Sequence, residues 1–192
     1  MPQSSNRTRN ARLQLFLVAA AFIGPLLLAT WLYFAGFTWQ PTGRSNHGLL
    51  LEPIINLGDT GLTDIDQLTG AQWLLVYAEP GVCAAACRDS LYKLRQSRLM
   101  LGNEMNRLQR IFLHGDAPPD RVFLEEQHAG LTSIRNDGLG ELLQARRPAE
   151  STAGGFFLVD PLGNLVMYFA PEISPRDLVD DIKHLLDLSR IG

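Results

Sequence analysis

The chain has 192 residues, with 17 Lys and Arg against 20 Asp and Glu, and a formal net charge of −3 at pH 7. That charge is segregated: residues 1–44 hold four arginines and no acid, so the remaining 13 basic and 20 acidic side chains leave residues 45–192 at −7. An acidic domain argues against a nucleic-acid partner, because affinity for a phosphate backbone rests on a basic face. Nothing in the chain repeats and nothing is low-complexity.

The first element is a span. Arg7, Arg9 and Arg12 precede "LQLFLVAAAFIGPLLLATWLYFAGF", Leu13 to Phe37, which carries no charge. At about 1.5 Å per residue this is roughly 37 Å of helix, enough to cross a hydrocarbon core of about 30 Å with some tilt. Pro25 costs one backbone hydrogen bond, which membrane helices tolerate, and Trp31, Tyr33 and Trp39 suit the interface at the far end. A cleaved signal peptide would have an apolar core of about 7–15 residues, so an uncleaved anchor is expected. The arginines ahead of the span place the N-terminus in the cytoplasm by the positive-inside bias. The expected organisation is a cytoplasmic N-terminus (1–12), an anchor in the inner membrane (13–37), a linker of turn-forming residues (38–48) and a periplasmic domain (49–192).

Within that domain, "SNHGLLLEP" (45–53) reads as a turn leading into a first edge strand, with a segment packing on the domain or a partner as the alternative. "QWLLVYA" (72–78) is short, apolar and bounded by turn residues, as a strand buried on both faces would be. The spacing of Leu91, Leu94, Met105 and Leu108 predicts one long helix from about Ala84 to Leu108. A second strand over 110–115, a helix over 119–130 and a short helix over 138–146 follow. "GFFLVD-PLGN-LVMYFA" reads as a hairpin. Ser174 as cap, Pro175 at the first helical position and Asp177 in the first turn open a last helix, with Leu178, Val179, Ile182, Leu185 and Leu186 as its buried stripe. Strand, helix, strand, helix, short helix, hairpin, helix is the order of an α/β, thioredoxin-like three-layer sandwich.

The only cysteines, Cys83 and Cys87 in "EPGVCAAACRDS" (79–90), lie where the first of these apolar strands meets its helix. With the N-terminal anchor and the Asp-Pro-x-Gly turn of "FFLVDPLGNLVMYF", this layout resembles the Sco/SenC group of membrane-anchored thioredoxin-like proteins, over about Leu49 to Ser189. The resemblance implies a role in cytochrome c oxidase assembly, contact with Cu(I), and partners among oxidase subunits or other respiratory-chain assembly factors. Two departures stand out. The group's third copper ligand is a histidine about eight residues before the Asp of the turn, where this chain has Thr152. Thioredoxin-like reductases carry a cis-proline just before that strand, where this chain has Gly154 and Gly155.

Two cysteines on the first turns of a helix have Cα atoms about 6 Å apart on one face, within reach of a disulfide. A five-residue ring would stabilise the fold by only about 2 kcal/mol before strain, so stapling is a poor reason for the pair, although in an oxidising compartment a bystander pair would also close. Near a helix N-terminus, with Arg88 adjacent, Cys83 is favoured as a thiolate. A thiolate is both a nucleophile for disulfide exchange and a soft ligand for Cu(I). Spacing does not choose between them.

Of the four histidines, His114 at the carboxyl end of the second strand is the candidate to complete a Cys83/Cys87/His114 metal site, since sites in parallel sheets form at that edge; a turn residue making a hydrogen bond is the competing reading. His47 falls in the linker, His128 on a helix face toward solvent and His184 on the polar side of the last helix. Glu79, directly before Pro80, is expected to be a solvated loop acid, with a proton acceptor for the thiol as the alternative. The basic set Arg88, Lys93, Arg95, Arg98, Arg107 and Arg110 is expected to be an exposed charged face, with docking to anionic lipid or an acidic partner as the alternative. Three functions are carried forward: an oxidase-assembly factor working through the Cys83/Cys87 redox pair, a general periplasmic thiol-disulfide oxidoreductase, and a non-catalytic thioredoxin-like scaffold.

Overall fold

The computed structural model describes residues 4–34, 46–60, 68, 70–117, 119–151 and 154–189. The chain divides into two units, Met1–Arg44 and Ser45–Gly192. In the first, helix α1 runs Ser4–Phe34 with Pro25 inside it, and its segment Leu13–Leu32 is long and apolar enough to cross a membrane. Side chains pointing in every direction, among them Leu13, Phe16, Phe22, Leu27 and Trp31, are exposed. A helix apolar all round has no polar face to turn to water and suits lipid. Residues 35–45, which include the expected end of the span and most of the linker, lie outside the described residues.

The second unit is built on one six-stranded sheet ordered β1-β6-β5-β2-β3-β4, with β1 Leu49–Asn56, β2 Trp73–Glu79, β3 Leu108–His114, β4 Leu131–Ile134, β5 Phe156–Val159 and β6 Asn164–Phe169. Strands β2, β3 and β4 are parallel, while β5, β6 and β1 add antiparallel. Helices α2 (Ala85–Met100), α3 (Arg121–Gln127), α4 (Asp137–Arg146) and α5 (Pro175–Leu188) complete it. Strand side chains alternate between the two faces. Trp73, Leu75, Tyr77, Leu108, Phe112, Phe156 and Leu158 meet Leu91 and Leu94 of α2 and Leu178 and Ile182 of α5. Leu74, Val76, Ile111, Leu113, Phe157 and Val159 meet Leu139 and Leu143 of α4. These are the three layers of the thioredoxin fold, and the expected edge strand is β1.

Two expectations fail. The long helix stops at Met100: Leu101 N–H turns back to Arg98 O, Gly102 takes φ +60°, and a 3-10 segment Gly102–Arg107 follows. The left-handed conformation that glycine permits ends the helix, while Met105 still packs on the core and so imitates a continuing helical stripe. Strand β4 was not expected, because "LTSI" is four residues long and none of its side chains is fully buried. The hairpin turn is held by Asp160, whose carboxylate accepts from the N–H groups of Leu162 and Asn164 and from Asn164 Nδ2. The Asp-Pro-x-Gly turn that carries the resemblance is therefore structural.

Candidate functional site

Cys83 and Cys87 form a disulfide with Cα atoms 5.0 Å apart. The pair straddles the start of α2 instead of lying wholly within it: Cys83 precedes the N-cap Ala84, and Cys87 is in the first turn. Cα atoms closer than helical spacing follow from that bend. Ala84 offers no side-chain acceptor to the first turn, so its N–H groups remain available beside Cys83, where they favour a thiolate. The two sulfurs are not equivalent. Cys83 is 9% exposed and Cys87 2%, and Cys83 follows the exposed Pro80, Gly81 and Val82. Cys83 is the less deeply buried member, though both sulfurs belong to the core cluster that holds Leu91 and Tyr77.

Glu79, at the end of β2, fixes the approach to this loop. Its carboxylate accepts from the Tyr77 hydroxyl at 3.2 Å and from the N–H of Gly81 at 3.1 Å, which corrects the expectation of a merely solvated acid. Its carbonyl accepts from Gly115 N–H at 3.1 Å, tying the cysteine loop to the end of β3. Where a cis-proline was absent in sequence, Gly154 and Gly155 take φ +84° and +144°. A Cβ on Gly155 would lie 2.4 Å from the Tyr168 ring, so only glycine fits there.

His114 stands opposite Glu79 in the β2–β3 register, with Nδ1 2.7 Å from the Gly115 carbonyl oxygen and its ring 5.7 Å from that of Phe112. Together with Glu79, Asp116, Arg135 and Arg147 it lines a cleft of about 730 Å³ at the carboxyl edge of the parallel strands. Arg135 in this cleft is bound to Asp116 at 2.7 Å and Asp137 at 3.0 Å. Neither cysteine lines it. Among the described residues, the group of three His, Cys, Asp or Glu donors within 4.8 Å of one another is His47, Asp177 and Asp180; the structure does not gather Cys83, Cys87 and His114 in that way. Thr152 lies outside the described residues.

Two further readings change. His128 is buried, 4% exposed, just past the end of α3 against Phe123, not on a solvent face. Burial, then Arg110 and Arg95, hold its pKa below the usual imidazole range. Arg110, placed in sequence among exposed basic residues, is itself buried at 3%, because it projects from β3 on the same face as Leu108 and Phe112. The periodicity of "LQRIFLH" contained this signal: position 110 falls on the inward side.

The fold, the junction and the anchor-length helix can now be set beside known proteins. The transmembrane-like, thioredoxin-like, C-terminal domain family matches residues 73–189, and the transmembrane-like, N-terminal domain family matches residues 4–36. No curated protein matches in sequence. Apo Sco1 from Thermus thermophilus superposes with a TM-score of 0.54 at 19% identity, covering 75% of this chain and 99% of that one. Yeast Sco1 gives 0.53 at 20% identity over 65% and 85% of the two chains, and yeast Sco1 with copper bound gives 0.50 at 18% over 64% and 80%. At such identities the likeness is one of fold. With the family matched over most of its length, this chain belongs to the transmembrane-like, thioredoxin-like proteins.

Proposed function

We propose that the chain is a membrane-anchored thiol-disulfide exchange protein that keeps the cysteines of an exported client reduced, with the copper-site cysteines of a cytochrome c oxidase subunit as the client. The observation that carries the chemistry is the unequal exposure of a closed Cys83–Cys87 pair at the junction of β2 and α2. The client assignment rests on the resemblance to the Sco/SenC group. Residues 13–37 serve as the inner-membrane anchor, 38–48 as the linker and 49–192 as the periplasmic domain, with residues 1–12 in the cytoplasm.

In the reduced protein the Cys83 thiolate attacks a client disulfide, forming a mixed disulfide and releasing one client thiolate. The Cys87 thiolate then attacks the Cys83 sulfur, closing the intramolecular bond and releasing the second. Two electrons pass to the client, and an external dithiol restores the pair. Cys87, buried next to Cys83, meets no competing client sulfur, which makes it the resolving residue.

Copper fits less well. A resident Cu(I) held by two thiolates and an imidazole needs three donors converging, and His114 is not gathered with the sulfurs but lies against the Gly115 carbonyl. No step is routed through a metal, and Cu(I) enters only as cargo in transient contact with the reduced pair. The test is trapping: a reduced Cys87→Ser full-length protein offered a peptide disulfide should accumulate the mixed disulfide at Cys83. Equal accumulation in Cys83→Ser would remove the assignment of roles, and none in either would remove the exchange function.

A further inference from the structure

The far half of α2 carries a second feature that thiol exchange does not use. Arg95, Arg98 and Leu99 on α2, Arg110 on β3, and Glu126 and Ala129 near the end of α3 enclose a recess of about 150 Å³. At roughly 30 Å³ per water in the liquid, that is room for a tetrahedral oxyanion with part of its hydration. Three guanidinium groups converge there, and among the described residues none of them has a carboxylate within ion-pair distance. Glu126 shares the wall without pairing to any of them.

Arg110 is the unusual member. It is 97% buried by its 3% exposure, one terminal nitrogen donates to the Ala129 carbonyl at 2.7 Å, and its Nε–H has no acceptor. Arg98 spends its own Nε–H on the Leu108 carbonyl at 3.1 Å. A buried arginine is retained where its charge is met by an anion, since an uncompensated one is costly. The same field reaches His128, whose pKa Arg110 and Arg95 help to depress after burial. The planar guanidinium fork matches the oxygens of phosphate in pairs.

We propose that this recess is an oxyanion site for a phosphate-class group, supplied as the free ion or as the headgroup of an anionic lipid. Full-length protein in phosphate-free maltoside micelles, titrated calorimetrically with inorganic phosphate against chloride at matched ionic strength, should bind one phosphate. Arg95→Gln, an exposed change that leaves the fold intact, should weaken binding by about ten-fold, the scale of one charge-assisted hydrogen bond, and Arg110→Met should abolish it. Unchanged melting of Arg95→Gln without phosphate separates loss of binding from loss of fold. In nanodiscs containing phosphatidylglycerol, phosphate affinity at least about five-fold weaker than in micelles identifies the lipid headgroup as occupant by competition, and unchanged affinity identifies the free ion. No phosphate response beyond that of chloride, or a response that survives both Arg95→Gln and Arg98→Gln, overturns the proposal.

Discussion

The two ends of α2 handle charge in opposite ways. At its N-terminus the helix presents free N–H groups to a cysteine pair that is sealed and neutral while oxidised. At the other end, Arg95 and Arg98 face a buried Arg110 without a matching acid. Between them Leu91 and Leu94, both at 0% exposure, lock the helix to the sheet. One end creates negative charge when it is reduced, and the other holds positive charge permanently. A single helix thus carries a reactive site and a candidate binding site on one rigid support, with Cys87 and Arg95 about 12 Å apart along its axis at a rise of about 1.5 Å per residue.

Breaking the reactive end should have the largest effect. Cys87→Ser should slow turnover of a peptide disulfide by at least about 100-fold, with the mixed disulfide persisting, because its escape depends on the second thiolate; stopped-flow and gel-shift assays read both. Next is the shared support. Leu91→Ala should cost about 2–5 kcal/mol in urea unfolding, the range for a fully buried leucine, and should weaken both ends together. Gly155→Ala, with a Cβ 2.4 Å from the Tyr168 ring and φ +144°, should cost about 3 kcal/mol through clash and backbone strain. Reducing the disulfide alone should cost about 2 kcal/mol or less, since a five-residue ring removes little chain entropy.

The smallest effect belongs to the basic end. Burial and the neighbouring arginines depress the pKa of His128 in the folded protein, so as pH falls below about 6.5 the unfolded chain takes up the proton more readily. This contribution is complete above that pH and is lost below it. The Tm should therefore fall further between pH 7 and 5 in the native chain than in His128→Gln.

Much of this was legible in sequence. The anchor-length helix rests on composition alone, while the buried strand β2, the hairpin and the capped last helix each rest on a local pattern that tertiary packing reinforced. Met105 misled because it packs on the core from a 3-10 segment, and β4 was missed because four residues, three half-buried and one exposed, are too short a run to show a period. Cys83 and Cys87 could be found by eye, but their unequal exposure could not, since it depends on where the first turn begins. Glu79 was underestimated because one partner, Gly81, is set by a loop geometry that composition does not encode, and the other, Tyr77, two residues back on the same face of β2, was counted only as core. Arg110 was misplaced for a plainer reason: its charge was counted before its position on the strand.

The central claim is that Cys83 and Cys87 are a working redox pair, and its most direct test is the equilibrium reduction potential of the pair in the full-length protein. Poised glutathione and dithiothreitol buffers followed by thiol alkylation and mass measurement would give it. A midpoint between about −120 and −270 mV, the range of exchange-active thioredoxin-like proteins, is the result this account predicts. A midpoint below about −300 mV would mark the bond as a structural one that client exchange does not reach, and would contradict it.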